Sequence, residues 1–380
     1  MFNKFRRKAA TVLRYLFPTA GDRAYLAAMR SSGQFDRAYY LDSNPRLNPL
    51  FRLWPERHYV QLGEANGVCP NPGFSPRAYL FHNPDLGDIR QPLRHYIEVG
   101  RGEGRVVLAA PVPETVPQLP SLSPRSAPKA PVAVALHLYY PELWDEFAAR
   151  LAAQRFDFDL YMTLVARSDL SQEETQSLKT QITAQFPKAQ VWTLPNHGRD
   201  ILPFLHLLSQ GVFAPYRAVC KLHGKRSPHR ADGDDWRQDL VCGVLGEPKQ
   251  TEARLRAFLA DPEAGIWVAD GHLNEGNDWW GANRPRAEVL RRRAGMAPFS
   301  DPLRFPAGSI YWVRTEVLDA LGALNLTAAD FEPEQALVDG TTAHVIERLM
   351  GHIAEQAGRT LAPGSSFDAA GLDKAEQIGQ

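Results

Sequence analysis

Cysteine is scarce in this 380-residue chain. Cys69, Cys220 and Cys242 are odd in number and far apart, which fits neither a disulfide framework nor zinc-ligand spacing and points to a reducing, cytoplasmic setting. Net charge is absent: 43 Lys plus Arg face 43 Asp plus Glu, so no global field argues for nucleic acid as a partner. No apolar run is long enough to span a bilayer, and no signal-peptide core with a cleavage site is present. No GxGxxG follows the first predicted strand and no GxxxxGK[ST] occurs, so neither the dinucleotide fingerprint nor the P-loop applies. Hydrophobic residues are plentiful at 44%, and the length leaves room for one large domain plus something smaller.

The opening MFNKFRRKAATVLRYLF places Phe2, Phe5, Ala9, Val12, Leu13 and Leu16 on one helical face, with Lys4, Arg6, Arg7, Lys8 and Arg14 largely elsewhere. Such a basic amphipathic helix either packs on its own protein or lies on an anionic membrane surface, as a peripheral contact through residues 1–17. Residues 31–106 then carry an internal duplication. FDRAYYLDSNPRL (from Phe35) matches FSPRAYLFHNPDL (from Phe74), and HYVQLGEANG (from His58) matches HYIEVGRGEG (from His95), at offsets of 39 and 37 residues. Each copy predicts an aromatic helix ending at Asn-Pro and a second ending at glycine, hence two helical hairpins. Their tyrosines serve either as core or as a docking surface. Prolines recur every few residues through 107–131, an extended, semi-rigid linker with almost nothing to bury.

From 132 to 360 the pattern alternates strand and helix. Strands are predicted at 132–140, 158–166, 189–196, 216–224 and 264–270, with helices between them, so the fold class is α/β with a mostly parallel sheet; 361–380 reads as a tail. Ligands of such sheets bind beyond the carboxyl ends of the strands. That end gathers His137 after the first strand, Asn196-His197-Gly198-Arg199-Asp200 after the third, Lys221, His223, Lys225 and Arg226 at the fourth, and Asp270 at the fifth. Lys221, His223 and Lys225 alternate, so an extended strand points all three one way, an arrangement suited to an anion. Asp200 either caps the helix that begins at Ile201 or meets the ligand. FPAGSIYWVR puts a small-residue turn, with Gly308 and Ser309, before an aromatic strand. Glu334 and Asp339 precede a helix carrying His344 and Glu347, and a carboxylate there is either a cap or a general base. Trp279 and Trp280 either stack on a sugar or pack internally.

HLYYPELWDEF, NHGRDILPFL, YRAVCKLHGKRSPH with WRQDL after it, FPAGSIYWVR and DGTTAHVIERL resemble, in that order, the rhamnan synthesis protein F family. The tandem repeat is similar to modules fused to bacterial glycosyltransferases. The resemblance implies a GT-A-like, Rossmann-type sheet with flanking helices, preceded here by the small all-α repeat module. It also implies a rhamnosyltransferase that uses a nucleotide-sugar donor and a glycan or lipid-linked glycan acceptor in cell-surface polysaccharide assembly, such as O-antigen or capsule, at the inner face of the plasma membrane. In the GT-A class a DxD at the end of the fourth strand grips a divalent Mg or Mn; Lys221-Leu222-His223 stands in its place and disfavours the metal, so no cofactor is expected. On this reading His137, Asn196, Gly198, Arg199, Asp200, Lys221, His223, Lys225 and Asp270 hold the nucleotide sugar. Trp279, Trp280, Gly308, Ser309 and His344 meet the acceptor, and Asp339, with Glu334 as alternate, takes the acceptor proton in an inverting transfer. The rival expectation is a non-catalytic glycan-binding or assembly protein on a degenerate glycosyltransferase fold.

Overall fold

The computed structural model describes residues 14–44, 47–87, 89–105, 107, 116–123, 127–167, 169–224, 233–281, 283–332 and 340–368. The chain divides into two compact units, one of residues 1–111, 280–299 and 337–341, the other of 112–279, 300–336 and 342–380.

In the first unit the duplication repeats down to single hydrogen bonds. Asp36 and Ser75 cap the helices Arg37–Asp42 and Pro76–His82 by accepting from the amides of Tyr39 and Ala78. Both helices stop before Asn-Pro, where Asn44 and Asn83 turn their side-chain amides back onto the carbonyls of Tyr40 (2.7 Å) and Tyr79 (2.8 Å). The second helix of each copy is a short α segment, Pro55–His58 or Pro92–His95, that widens into a π turn over Tyr59–Gly63 or Tyr96–Gly100. Tyr40 pairs with Nδ1 of His58 and Tyr79 with Nδ1 of His95, both at 2.8 Å. A Cβ on Gly63 would run into the Tyr40 hydroxyl, and one on Gly100 into that of Tyr79, so each turn needs glycine for close approach. The left-handed stops expected from the sequence are Gly67 and Gly104.

Tyr25, Tyr40, Tyr59 and Tyr79 are fully buried, so these tyrosines form a core. Glu64 joins the copies: its carboxylate accepts from the Tyr25 hydroxyl (2.8 Å) and the Leu93 amide (2.6 Å). The equivalent position of the second copy is the exposed Arg101. A helix from within the 132–360 stretch, Arg284–Arg293, also belongs to this unit; Arg291 bridges Glu288 and Asp42 at 2.9 Å each, and Arg292 lies over the Tyr39 ring.

The second unit is a mixed α/β structure. Its strands are β1 (Val132–Leu138), β2 (Phe158–Ala166), β3 (Gln190–Pro195), β4 (Ala218–His223), β5 (Ala264–Val268), β6 (Leu273–Glu275), β7 (Arg304–Pro306), β8 (Tyr311–Arg314) and β9 (Thr360–Pro363). Seven form one sheet in the order β3-β2-β1-β4-β8-β5-β9, in which β8 alone runs antiparallel to its neighbours; β6 and β7 pair separately. Around the sheet lie α1 (Trp144–Ala153), α2 (Gln172–Gln185), α3 (Ile201–Ser209), α4 (Gly233–Val244), α5 (Pro248–Ala260), α6 (Thr315–Gly322) and α7 (Thr342–Gln356). β1 and β4 are buried along their whole length, as befits parallel strands covered on both faces. Each of the five predicted strands is present, and the aromatic segment after Ser309 is β8.

The described part of the proline-rich stretch departs from the expectation of a linker with nothing to bury. Leu122 is buried, Nε2 of His206 donates to the Pro120 carbonyl (2.8 Å), and Gln190 donates to that of Ser123 (3.2 Å). Proline's missing amides leave those carbonyls as acceptors for side chains of the α/β unit. Among the described residues, no helix is long and apolar enough to cross a membrane.

Candidate active site at the end of the fourth strand

Alternation along β4 divides its side chains between the two faces of the sheet. Cys220 and Leu222 enter the main core, while Lys221 and His223 point to the opposite face. The same pleat extends a polar row across three parallel strands, because His137 of β1 stands in register with Thr163 of β2 and His223 of β4. Nδ1 of His137 lies 2.9 Å from the Thr163 hydroxyl. Burial pushes the His137 imidazole down to about 3, against a smaller upward pull from Asp200, and His223 and Lys221 lower it further; His137 is neutral at physiological pH.

Two turns face these side chains, each built on a pair of consecutive left-handed residues. Gly198 (φ 65°) and Arg199 (φ 57°) follow β3; Gly308 (φ 81°) and Ser309 (φ 55°) precede β8. A Cβ at Gly198 would strike Leu202 and Phe331, and one at Gly308 would strike Leu240 and Trp236. The non-glycine member of each pair costs on the order of 1 kcal/mol, a strain that persists where surrounding contacts impose it. Those contacts are present. Lys221 Nζ donates to Asp200 Oδ2 (2.6 Å) and to the Ser309 carbonyl (2.9 Å). His223 Nε2 donates to the Gly308 carbonyl (2.6 Å) and lies 3.8 Å from Asp200. Asp200 holds the N-cap position of α3, yet its side chain makes no cap bond, and the ion pair with Lys221 takes its place.

The third wall is α7. His344 is buried, and Nε2 accepts from an Arg199 N–H at 2.8 Å. A guanidinium only donates, so His344 is neutral with its proton on Nδ1. One turn on, Glu347 accepts from the Gly308 amide (2.7 Å) and pairs with Arg348 (3.1 Å). Tyr311, buried beneath the cluster, has its hydroxyl pKa raised by burial, with the charges of Asp200 and Glu347 adding to the rise.

The structure thus brings together His137, Arg199, Asp200, Lys221, His223, Gly308, Ser309 and His344, with Gly198 at the turn. Lys225, Arg226, Glu334 and Asp339 lie outside the described residues. Three expectations change. Lys221 is only 2% exposed and is held by Asp200 and a carbonyl, because topology brings to β4 a carboxylate that sequence distance concealed. Asp270 faces Arg254 (3.5 Å) and accepts from the Ser365 amide (2.8 Å), beside the Arg254–Asp368 pair, rather than joining the Lys221 cluster. The two tryptophans part company: Trp280 is buried against Phe299, with ring centroids 4.8 Å apart, while Trp279 is 48% exposed and meets Phe305 edge-on. Asn196 is exposed at the start of the first turn. Sequence reasoning missed Thr163, which only the register places beside His137. It also gave Glu347 no role, although its spacing from His344 puts both on one face of α7.

A mostly parallel sheet with a buried polar cluster at the carboxyl ends of its strands is an α/β domain, of the class whose ligands are usually met at that end. The description of the rhamnan synthesis protein F family matches residues 111–359, and the chain belongs to that family. Two relatives, each called uncharacterized protein WxcX, come from two strains of Xanthomonas campestris pv. campestris. Both are 34% identical to it over 228 residues, which cover 59% of this chain and 31% of theirs. The matched region therefore spans less than a third of the length of these curated relatives. Among solved structures, the mannosyltransferase PcManGT from Pyrobaculum calidifontis, in complex with GDP-Man and Mn2+, is similar at 15% identity and a TM-score of 0.34, over 76% of this chain and 65% of that one.

Proposed function

We propose that the α/β unit is a glycosyltransferase that passes a sugar from a nucleotide-diphosphate donor to a growing cell-surface glycan, with rhamnose as the sugar. Membership of the rhamnan synthesis protein F family carries this reading, and we take the polar cluster at the end of β4 as its candidate site. Arg199, half-buried at its turn, and Lys225 are assigned to the diphosphate. Lys221 acts from beneath, through its charge and its hold on the 308–309 turn. In the transfer, the acceptor oxygen bonds to the anomeric carbon as the bond from that carbon to the diphosphate oxygen breaks. The nucleoside diphosphate leaves with the electron pair, and the hydroxyl proton passes to Asp339, with Glu334 as alternate. One displacement inverts the anomeric centre and needs no covalent nucleophile. Trp279 is the aromatic face offered to the acceptor.

Among the described residues, the donor set at the end of β4 does not suit a divalent cation. An ammonium has no lone pair to give, Nε2 of His223 carries its proton toward a carbonyl, and Asp200 is already paired with Lys221. Stabilisation of the leaving group is therefore assigned to cationic side chains. The same Lys221–Asp200 pairing favours a second reading, a glycan-binding domain that has lost turnover. Purified protein incubated with a panel of nucleotide sugars and glycan acceptors, with and without chelator, separates the two by released nucleoside diphosphate. Turnover that survives chelation and disappears in Asp339→Asn is expected. Loss on chelation alone refutes the metal-free step, and silence with every donor favours the binding domain.

A further inference from the structure

The repeat unit carries an apolar patch that its own core does not use. Phe17 is 72% exposed, Leu53 57%, Trp54 41% and Leu16 38%. These residues come from two segments that are locked together. The buried Tyr15 sends its hydroxyl to the Leu50 carbonyl (2.8 Å) and receives the Trp54 amide (3.1 Å). Arg57 closes the joint from the other side, donating to the carbonyls of Leu16 (3.1 Å) and Tyr15 (3.3 Å) while its guanidinium lies 4.7 Å over the Trp54 ring. The large side chains are thus presented on a braced surface. The joint brings the two exposed apolar pairs into one neighbourhood, unlike the single exposed apolar residues normal on a soluble protein.

Charge favours one kind of cover. Exposed Arg23 and Arg37 stand on the neighbouring helices, Arg23 donating to the Pro18 carbonyl (2.7 Å) and Arg37 to those of Arg52 and Leu53 (3.2 Å each). Of the carboxylates nearby, Asp22 is buried against Arg14 at 2.7 Å, Glu56 is matched by Arg37 at 3.5 Å and Asp36 caps its own helix, while Arg57 over the Trp54 ring joins Arg23 as a cation beside the apolar residues. The sequence just before adds Lys4, Arg6, Arg7 and Lys8. Aromatic and aliphatic side chains with arginines beside them suit the interface of a bilayer with anionic headgroups, where apolar groups enter the acyl boundary and each cation near the surface adds attraction.

We propose that the face formed by Leu16, Phe17, Leu53 and Trp54 docks the repeat unit on an anionic phospholipid surface. The surface adds Leu53 and Trp54 to the end of the predicted 1–17 helix and stands independently of whether the α/β unit transfers sugar. The test is co-sedimentation of the full chain with vesicles of phosphatidylcholine alone or mixed 3:1 with phosphatidylglycerol. Binding to the mixed vesicles only is expected, weakened at least fivefold between about 0.1 and 0.5 M salt. Phe17→Ser combined with Trp54→Ser weakens it at least tenfold without moving the unfolding midpoint. If that double variant melts early, Leu53→Ser alone carries the same expectation of weaker binding. Equal binding by the variants, equal binding to neutral vesicles, or no binding at all overturns the proposal. So does a dimer in solution that the same substitutions dissolve while vesicles capture nothing.

Discussion

Replacing Lys221 by methionine tests the ion pair at the centre of the cluster. Lys221 is 2% exposed and Asp200 12%, and the ammonium also satisfies the Ser309 carbonyl. Methionine fills much of the volume of the lysine stem, so the loss is electrostatic: a carboxylate and a carbonyl facing a side chain that cannot donate. Removing one partner of a buried pair costs about 3–5 kcal/mol. In a unit of this size each kcal/mol moves the midpoint by about 2–4 °C, so Lys221→Met melts roughly 6–20 °C early. Asp200→Leu alone strands the ammonium and is expected to cost a similar amount. The double variant removes both charges and recovers about 2 kcal/mol relative to the sum of the singles. Denaturant unfolding followed by tryptophan fluorescence reads this directly, because Trp267 and Trp312 stack in the core at 6.1 Å. A single variant within about 2 °C of the parent, or a strictly additive double, refutes the buried pair.

The repeat unit offers a steric test: Gly63→Ala costs about 2 kcal/mol by driving a methyl into the Tyr40 hydroxyl, and adding Tyr40→Phe recovers part of the loss in a melting experiment. His137 takes its proton near pH 3 when folded and near 6.5 when unfolded, so it contributes stability that is present above about 6.5 and lost as pH falls toward 3. In His137→Gln the acid slope of the α/β unit's unfolding free energy falls by up to one proton. Glu64 has the opposite sign: burial pushes its carboxyl up to about 7, so its contribution is complete below about 4.5 and lost as pH rises through 7. Glu64→Gln removes that decline, measured as midpoint against pH for the transition of the repeat unit.

The sheet was readable in the sequence because β1, β2, β4 and β5 are apolar runs bounded by breakers, and buried parallel strands have that composition. β6, β7 and β9 escaped notice: they are three or four residues long and only partly buried, too short for a period to show. The helix Arg284–Arg293 was missed for a different reason: it has too few apolar residues to show a helical period, and Arg291 is held by the buried Glu288 and by Asp42, which lies far away in sequence. At the candidate site, motif order and strand ends pointed to loops that the fold brings together around β4. The burial of Lys221 was not legible, because its partner lies 21 residues earlier and only the neighbouring turn brings the two together. A lysine at a strand end looks exposed until the topology supplies a carboxylate.

The asymmetry between Glu64 and Arg101 sets a rule for how such repeats can multiply. In the first copy this position is an acceptor that receives the Leu93 amide, at the start of the second copy's second helix. In the second copy the same position is a cation, which cannot accept an amide proton and stands in solvent. The array is therefore directional and terminated at one end. A third copy grafted after residue 105 would find no socket until Arg101 became a glutamate. The same exchange made without an added copy would leave a carboxylate at the surface with no amide to receive.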